Sequence, residues 1–168
     1  MSNNTNVISL IEPLSEIGVA KIIYSRYKEF AKYQISCASL DESREPRWCH
    51  KCEICTFDYL SSLANNLAPK KLGFKSNLLD KKYKEYFYLF KGKKRSGCYE
   101  TKYSRDKDLF SFYLAYRNNT KGYLIDLFKK QYLQEAKERE DELFKKFYRI
   151  YDSNLPVKIK NKVLSPFL

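Results

Sequence analysis

The chain has 168 residues, with 32 Lys plus Arg against 20 Asp plus Glu and a net charge of +12; its aromatic residues are 15 Tyr, 11 Phe and 1 Trp. This length fits one domain, or one domain with a small appendage, and it is sufficient to bury a hydrophobic core. No apolar run approaches the length of a membrane span and no targeting signal is recognisable, so we expect a soluble, cytoplasmic protein.

The N-terminal segment is predicted to contain a polar tail, a short strand and one helix. Residues 1–6 are polar and are expected to be a disordered tail. The apolar run from Val7 to Ile11 is consistent with a strand, and Pro13 ends it. Ser15 is a favourable N-cap and is followed by Glu16 in the first turn, so we predict a helix over about residues 15–30.

Four of the five cysteines lie within the next stretch, at positions 37, 49, 52 and 55. The last three have the spacing C-x-x-C-x-x-C, which turns the chain tightly enough for three thiolates to face one ion, and Cys37 can complete the set. Four thiolates in a closed tetrahedron favour zinc in a structural site with no open position for water. We therefore predict one structural zinc ion bound by Cys37, Cys49, Cys52 and Cys55.

Other interpretations of these cysteines stay open. Disulfides require an oxidising compartment, and the C-x-x-C-x-x-C run also suits an iron–sulfur cluster. Unrelated buried thiols are a third possibility, although that reading does not explain why four cysteines fall within nineteen residues. His50, the single histidine, is interpreted as a solvated loop residue because adjacent residues rarely reach one ion together.

The remaining chain shows mainly helical periodicity. We predict a helix over residues 54–67, ended by Pro69, then an amphipathic segment over 77–90, and a helix from Ser104 to the Asn118–Asn119 break. The longest periodic stretch runs from Tyr123 to about Tyr151.

The expected fold is a mainly helical α+β fold, with one or two short N-terminal strands, the four-cysteine zinc loop and about four helices. The predicted divisions are a zinc-stapled domain over 7–118, a long charged helix over 119–151 that projects into solvent, and an irregular tail over 152–168.

Positive charge is concentrated in the middle of the chain. Residues 65–130 contain 17 Lys plus Arg and 6 Asp plus Glu, a net +11, so the rest of the chain carries +1. Such a field attracts polyanions, although lysine-rich solvated helices would give the same composition. The candidate anion-binding or nucleic-acid-binding residues are Lys70, Lys71, Lys81, Lys82, Lys93, Lys94 and Arg95.

The cysteine stretch resembles the C-terminal part of the PP-loop ATP pyrophosphatases. The resemblance rests on Pro13-Leu14-Ser15-Glu16, a following helix, Ser36-Cys37 and the C-x-x-C-x-x-C run. The 7-cyano-7-deazaguanine synthases of this superfamily have a similar four-cysteine zinc site. Arg47-Trp48-Cys49 and Phe74-Lys75-Ser76-Asn77-Leu78-Leu79-Asp80 resemble segments of UDP-N-acetylmuramoyl-L-alanyl-L-glutamate epimerases. The resemblance covers roughly residues 8–115. The family's lysine before the last cysteine is replaced here by Ile54.

The Ser-Gly-Gly-x-Asp-Ser loop that grips ATP phosphates in that family is absent from this sequence. The resemblance therefore implies the zinc-binding part of a split or truncated enzyme, for which an ATP-binding partner chain or a missing N-terminal half would supply ATP chemistry. The substrate and any catalytic residue stay unknown. The alternative function is a non-enzymatic, zinc-containing protein that binds RNA or DNA, with lysines on phosphates and tyrosines such as Tyr86 and Tyr103 on bases. Tyr83 belongs to the same basic segment, but it shares a helical face with Leu79 and Phe87 and is expected to be a core residue.

Overall fold

The computed structural model describes residues 9–37, 47–91, 102–149 and 155–164. In these ranges the chain forms the α-helices α1 (Glu16–Arg26), α2 (Glu53–Ala64), α3 (Lys102–Arg117), α4 (Tyr123–Gln131), α5 (Leu133–Glu138), α6 (Glu140–Tyr148) and α7 (Val157–Leu164). Short 3₁₀ segments lie at Ala31–Tyr33, Pro69–Leu72, Lys81–Tyr86 and Tyr88–Phe90. Residues 1–6, Lys93, Lys94, Arg95 and Cys98, which carried predictions, lie outside the described residues.

The predicted α+β fold class is wrong, because no β-strand occurs in the described parts of the chain. Where a strand was expected, residues 10–13 form turns, and the Leu14 amide donates to the Ile11 carbonyl at 2.9 Å. A strand needs a neighbouring strand to satisfy its backbone groups, and none is present in this part of the structure. Leu10 and Ile11, the apolar residues of this turn, are exposed, and the turn leads into α1. The expected number of about four helices is also too low.

The helix predicted after Ser15 forms, but it ends early. Ser15 is its N-cap, and its hydroxyl accepts a hydrogen bond from the Gly18 amide at 3.0 Å. The helix ends at Arg26 rather than at residue 30, since the chain from Tyr27 onward makes i→i+3 hydrogen bonds instead of i→i+4 bonds. Residues 27–33 therefore wind more tightly than an α-helix.

The segment over residues 77–90 buries the predicted side chains without forming an α-helix. The Asn77 carboxamide accepts from the Leu79 amide at 3.0 Å, so it replaces a helical backbone bond with a local turn. Extended backbone at Phe87 then separates the two 3₁₀ segments. The apolar positions that helical spacing picked out are nevertheless all buried: Leu78, Leu79, Tyr83, Phe87 and Phe90.

Helix α3 lies at the centre of the fold and contacts α2, α4, α5 and α6. Its buried side chains carry an aromatic core. Phe110 stacks on Phe147 of α6 with ring centroids 5.6 Å apart, and Phe112 stacks on Phe128 of α4 at 5.7 Å. Offset aromatic pairs of this kind stabilise a core beyond the area that they bury.

The stretch predicted as one long helix over residues 119–151 is divided into three. The breaks lie at Tyr132 and Arg139, whose backbone angles leave the helical range. A straight helix would touch α3 near one crossing point, whereas the breaks allow α4, α5 and α6 each to pack against it. The charged middle does not project into solvent, because Arg139 donates to Asp106 of α3 at 2.9 Å and Ala136 is fully buried.

The predicted irregular tail contains α7. Pro156 precedes the first turn of this helix, and its carbonyl accepts from the Ile159 amide at 2.8 Å. Proline is compatible with a helix start because the first amides of a helix have no intrahelical partner. None of the described helices has the length and apolar character needed to cross a membrane.

Candidate metal centre

The four predicted cysteines come together from three consecutive pieces of structure. Cys37 ends the extended segment that follows the 3₁₀ turn Ala31–Tyr33, and Cys49 lies in the loop before α2. Cys52 is the N-cap of α2, and Cys55 lies in its first turn. Cys37 and Cys55 are buried and the other two are half-buried. The cluster brings the segment after α1 next to the start of α2.

The sulfur atoms have the spacing of a single-ion tetrahedral site. The ligand atoms of all four cysteines lie within 4.8 Å of one another. The Sγ–Sγ distance is 3.8 Å for Cys37–Cys52 and 3.7 Å for Cys49–Cys55. Four sulfurs at ~2.3 Å from one zinc ion would be separated by about 3.8 Å, so both pairs match the edge of a zinc–thiolate tetrahedron.

Backbone amides fix two of the sulfurs. The Lys51 amide donates to Cys49 Sγ, and the Cys55 amide donates to Cys52 Sγ, each at 3.4 Å. Between them His50 has a positive φ of 60°, which produces the tight turn that the C-x-x-C spacing requires. These hydrogen bonds favour the thiolate form and hold the sulfurs toward a common point.

His50 itself is not a ligand. Its Nε2 accepts from the Lys75 amide at 3.4 Å, and its ring meets the edge of Phe74. Burial and the positive charge of Lys75 both lower the pKa of His50. The interpretation of His50 as a non-ligand agrees with this geometry, although the ring is half-buried against Phe74 rather than fully solvated.

The pKa values of the thiols are shifted in opposite directions within the cluster. Hydrogen bonding with Cys55 lowers the pKa of Cys52 to about 5, whereas the same interaction and burial raise the pKa of Cys55. Burial also raises the pKa of Cys49. The cluster thus stabilises one thiolate by its own hydrogen bonds, and a bound divalent ion would stabilise the others.

An aromatic wall supports the loop that carries the ligands. Trp48 is fully buried, stacks on Phe74 with ring centroids 4.4 Å apart, and donates from Nε1 to the Leu72 carbonyl at 2.6 Å. Tyr59 of α2 meets Phe74 edge-on at 5.2 Å. The residue before Cys49 is therefore held by packing and by a hydrogen bond.

A buried carboxylate fixes the Cys37 side of the site. Asp58 lies one turn after Cys55 on α2 and accepts from Ser36 Oγ at 2.5 Å and from Gln34 Nε2 at 2.8 Å. Burial raises the pKa of Asp58, and these hydrogen bonds oppose that shift. Because Ser36 precedes Cys37, the hydrogen bonds to Asp58 fix the position of the segment that carries Cys37, the first candidate ligand. Sequence spacing alone did not indicate this residue.

The predicted basic residues occupy a different surface. Lys70, Lys71, Lys81 and Lys82 are all exposed, and none belongs to the cysteine cluster. Lys93, Lys94 and Arg95 lie outside the described residues. Tyr83, one of the tyrosines considered for base stacking, is 8% exposed and belongs to the core, and Tyr103 packs against Phe147.

Three exposed aromatic side chains were not identified as candidates from the sequence. Tyr27, Phe30 and Tyr33 are 49%, 59% and 67% exposed. Helical spacing assigned the first two to the buried face of a longer α1. Their strict three-residue interval was the available signal, since it is the period of a 3₁₀ turn rather than of an α-helix.

No protein-family model, curated protein or solved structure matches this chain. The chemistry of the site is therefore inferred from its own geometry. A group of four cysteines that can hold a metal ion such as zinc is present, and its ligands come from residues that the structure buries or fixes.

Proposed function

We propose that the protein is a binding domain whose fold is stabilised by one structural zinc ion, held by Cys37, Cys49, Cys52 and Cys55. The tetrahedral spacing of the four sulfur atoms carries this proposal. Four protein ligands leave no open position for water or substrate, so the ion has a structural rather than a catalytic role. In an iron–sulfur cluster the thiolates bind different iron atoms, which would spread the sulfurs beyond the edge of a single-ion tetrahedron. Free thiolate ligands also fit a reducing compartment such as the cytoplasm.

Metal analysis of the purified protein tests the assignment. We expect one zinc per chain, loss of that zinc in Cys55→Ser, and retention in Cys98→Ser, which changes the one cysteine outside the cluster. A strong chelator should lower the Tm by at least about 10 °C, because structural zinc contributes several kcal/mol to folding. Stoichiometric iron, or a folded protein without metal, would contradict the proposal.

We further propose that the exposed lysines after α2 bind a polyanion. Residues 70–82 contain five lysines and one aspartate, a net charge of +4. The same segment includes Leu72 and Phe74, which contact Trp48. Lys70, Lys71, Lys75, Lys81 and Lys82 are all exposed. A cluster of one sign on a fixed surface raises the local concentration of phosphate-bearing ligands.

A second proposed function follows the resemblance to PP-loop enzymes: the chain would be the zinc-binding part of a split ATP-dependent enzyme. One observation favours it. Trp48 and Phe74, which belong to the two separate segments that carry the resemblance, stack directly on each other. The two segments therefore form one packed unit, as expected if they were inherited together.

The test of this second function is ATP turnover. The purified chain alone should not convert ATP to AMP, and turnover should appear only with a partner that carries a Ser-Gly-Gly-x-Asp-Ser loop. A search of the neighbouring coding sequence for that loop identifies the partner to add. Turnover by the isolated chain would refute the split-enzyme proposal.

A further inference from the structure

An exposed row of aromatic side chains follows α1. Tyr27, Phe30 and Tyr33, here called the aromatic ladder, are linked by consecutive i→i+3 backbone hydrogen bonds. The Phe30 amide donates to the Tyr27 carbonyl and the Tyr33 amide to the Phe30 carbonyl, both at 2.9 Å. Side chains three residues apart in a 3₁₀ turn lie on one edge, which places Phe30 and Tyr33 on one side of the segment, with Tyr27 one turn before them. Each ring is about half exposed or more, which is unusual for three neighbouring aromatic residues.

Basic side chains surround the ladder from both its own segment and a distant one. Arg26, Lys28 and Lys32 alternate with the rings, and Lys32 Nζ lies 4.9 Å from the centre of the Tyr33 ring. The turn Ala31–Tyr33 also packs against the turn Pro69–Leu72, which carries the exposed Lys70 and Lys71. The fold thus places two lysines from the basic segment beside the ladder.

The metal-site loop holds these two turns together. Arg47 donates to the Gln34 carbonyl at the end of the first turn, and the next residue, Trp48, donates to the Leu72 carbonyl at the end of the second. Cys49 follows immediately and is one of the proposed zinc ligands. The relative position of the ladder and of Lys70 and Lys71 is therefore fixed by the same loop that the zinc ion would hold.

We propose that this surface binds single-stranded nucleic acid, with unpaired bases stacked on the aromatic ladder and phosphates contacted by Lys70, Lys71 and the lysines within the ladder segment. This proposal rests on the polyanion-binding function proposed above and identifies the polyanion. Exposed aromatic rings combined with a basic groove are the common features of proteins that bind single strands without strong sequence preference. The base-stacking partners come from residues 27–33, since Tyr83 of the basic segment is buried and Tyr103 is partly buried against Phe147.

The spacing of the rings agrees with this partner. Three residues of 3₁₀ structure advance by about 6 Å, which is close to twice the ~3.4 Å separation of stacked bases. Successive bases of a single strand can therefore stack on successive rings of the aromatic ladder. In a duplex the bases are paired and stacked on one another, so a duplex offers its phosphates to the lysines and no free base face to the ladder.

Fluorescence anisotropy with labelled twelve-nucleotide strands tests the proposal. The zinc-loaded chain is titrated with single-stranded RNA, single-stranded DNA and the corresponding duplex at several salt concentrations. We expect binding to both single strands, weaker binding to the duplex, and a Kd that rises steeply with salt. A preference for RNA would indicate contacts to the 2′-hydroxyl, and equal binding would indicate stacking and phosphate contacts alone.

Substitutions separate the aromatic and basic contributions. Phe30→Ala or Tyr33→Ala should weaken single-strand binding by roughly 5- to 150-fold, the range expected for loss of one stacked base. Tyr33→Trp should retain it. Tyr123→Ala, which removes a 44% exposed ring at the start of α4, is the control and should leave the Kd unchanged. Circular dichroism and Tm measurements verify that each variant folds, as surface substitutions usually allow.

Lys70→Gln with Lys71→Gln should reduce the slope of log Kd against log salt by about 1.4, since each phosphate contact to a single strand contributes ~0.7. The control pair is Lys129→Gln with Lys130→Gln, two neighbouring exposed lysines at the end of α4, which should keep the original slope.

Three results would overturn the inference. Equal affinity for duplex and single strand, with ladder variants unchanged and the lysine variants weakened, would leave a polyanion site without base stacking. Absence of binding at low salt would refute the polyanion function as well. Self-association in sedimentation that Phe30→Ala abolishes, without nucleic-acid binding, would assign the ladder to a contact between two copies of the chain.

Discussion

Two buried carboxyl groups on α3 have pKa values that are shifted in opposite directions. Asp106 and Asp108 are both buried, and they are separated by one residue. Burial of Asp106 opposes ionisation, but hydrogen bonds from Arg139 and Lys146 outweigh it and lower its pKa. Burial of Asp108 raises its pKa to about 7, and the hydrogen bond from the Leu89 amide at 3.1 Å offsets this only in part.

These shifts predict how stability varies with pH. The folded state binds a proton at Asp108 up to about pH 7, whereas the unfolded chain loses it near pH 4. The contribution of Asp108 to stability therefore falls as pH rises from about 4 to 7. Asp108→Asn removes this dependence and should gain stability relative to the natural chain over that window, by on the order of 4 kcal/mol at most. Urea unfolding at pH 4.5 and pH 8 measures it.

Asp106→Asn is the contrasting variant. The pKa of Asp106 is lowered in the folded state, so its contribution is present above the ordinary carboxylate pKa and is lost as pH falls. Removing this charge leaves Arg139 and Lys146 without their buried partner, and we expect a loss of about 3–5 kcal/mol at neutral pH. An equal response of both variants at the two pH values would contradict the assignment of opposite shifts.

At the scale of elements, one hydroxyl joins the first helix to the last part of the bundle. Ser15 Oγ accepts from the Gly18 amide and donates to the Phe147 carbonyl of α6 at 2.5 Å. The N-cap is thus also a long-range tie, and it lies where the α6 carbonyls have no partner within their own helix. This explains why the start of α1 agreed with the sequence prediction.

Ser15→Ala should cost about 1–2 kcal/mol of unfolding free energy, because it removes the cap and leaves a carbonyl of α6 without its donor. Ser25→Ala is the control. Its hydroxyl is exposed and bonds only to Lys21 within the same helix, so a change below about 0.5 kcal/mol is expected. Thermal and urea unfolding of both variants measure this difference. Equal losses of unfolding free energy in the two variants would contradict a stabilising role for the bond between Ser15 and Phe147.

At the scale of the whole molecule, the four-cysteine cluster and the aromatic core lie in different parts of the fold. The four cysteines hold the segment after α1 to the start of α2, and Asp58 and Trp48 extend that hold to residues 34–36 and 72–74. The stacked phenylalanines instead hold α4 and α6 to α3. Helix α2 connects the two regions because it contacts both α1 and α3.

Charge is also distributed at this scale rather than along the sequence. Arg139 pairs with Glu135 and Glu142 as well as with Asp106. Arg105 and Arg117 of α3 pair with Glu135 and Glu140, so part of the acidic charge of 135–142 is balanced by a distant segment. The lysines of residues 70–82 are exposed to solvent, and Asp80 is the one acidic residue in their segment. Residues 70–82 therefore present a net charge of +4 to solvent.

The sequence by itself determined the metal site and most of the buried positions. The spacing of Cys49, Cys52 and Cys55 is a local property of the chain, so it defined the ligand turn without knowledge of the fold. Apolar periodicity likewise identified residues such as Leu79 and Phe87 as core residues, because burial of large apolar side chains does not depend on the type of turn that presents them.

Tertiary structure alone decided the type of turn, the helix breaks and the interaction surface. Residues 77–90 bury the expected side chains through 3₁₀ turns, and residues 123–148 break at Tyr132 and Arg139, because contacts with α3 outweigh weak local helix preference. The neighbourhood of Tyr33 and Lys70 depends on hydrogen bonds from Arg47 and Trp48 across 13 and 24 positions of sequence. Such long-range contacts leave no periodic signal in the chain, so only the folded structure brings the ladder and the lysines together.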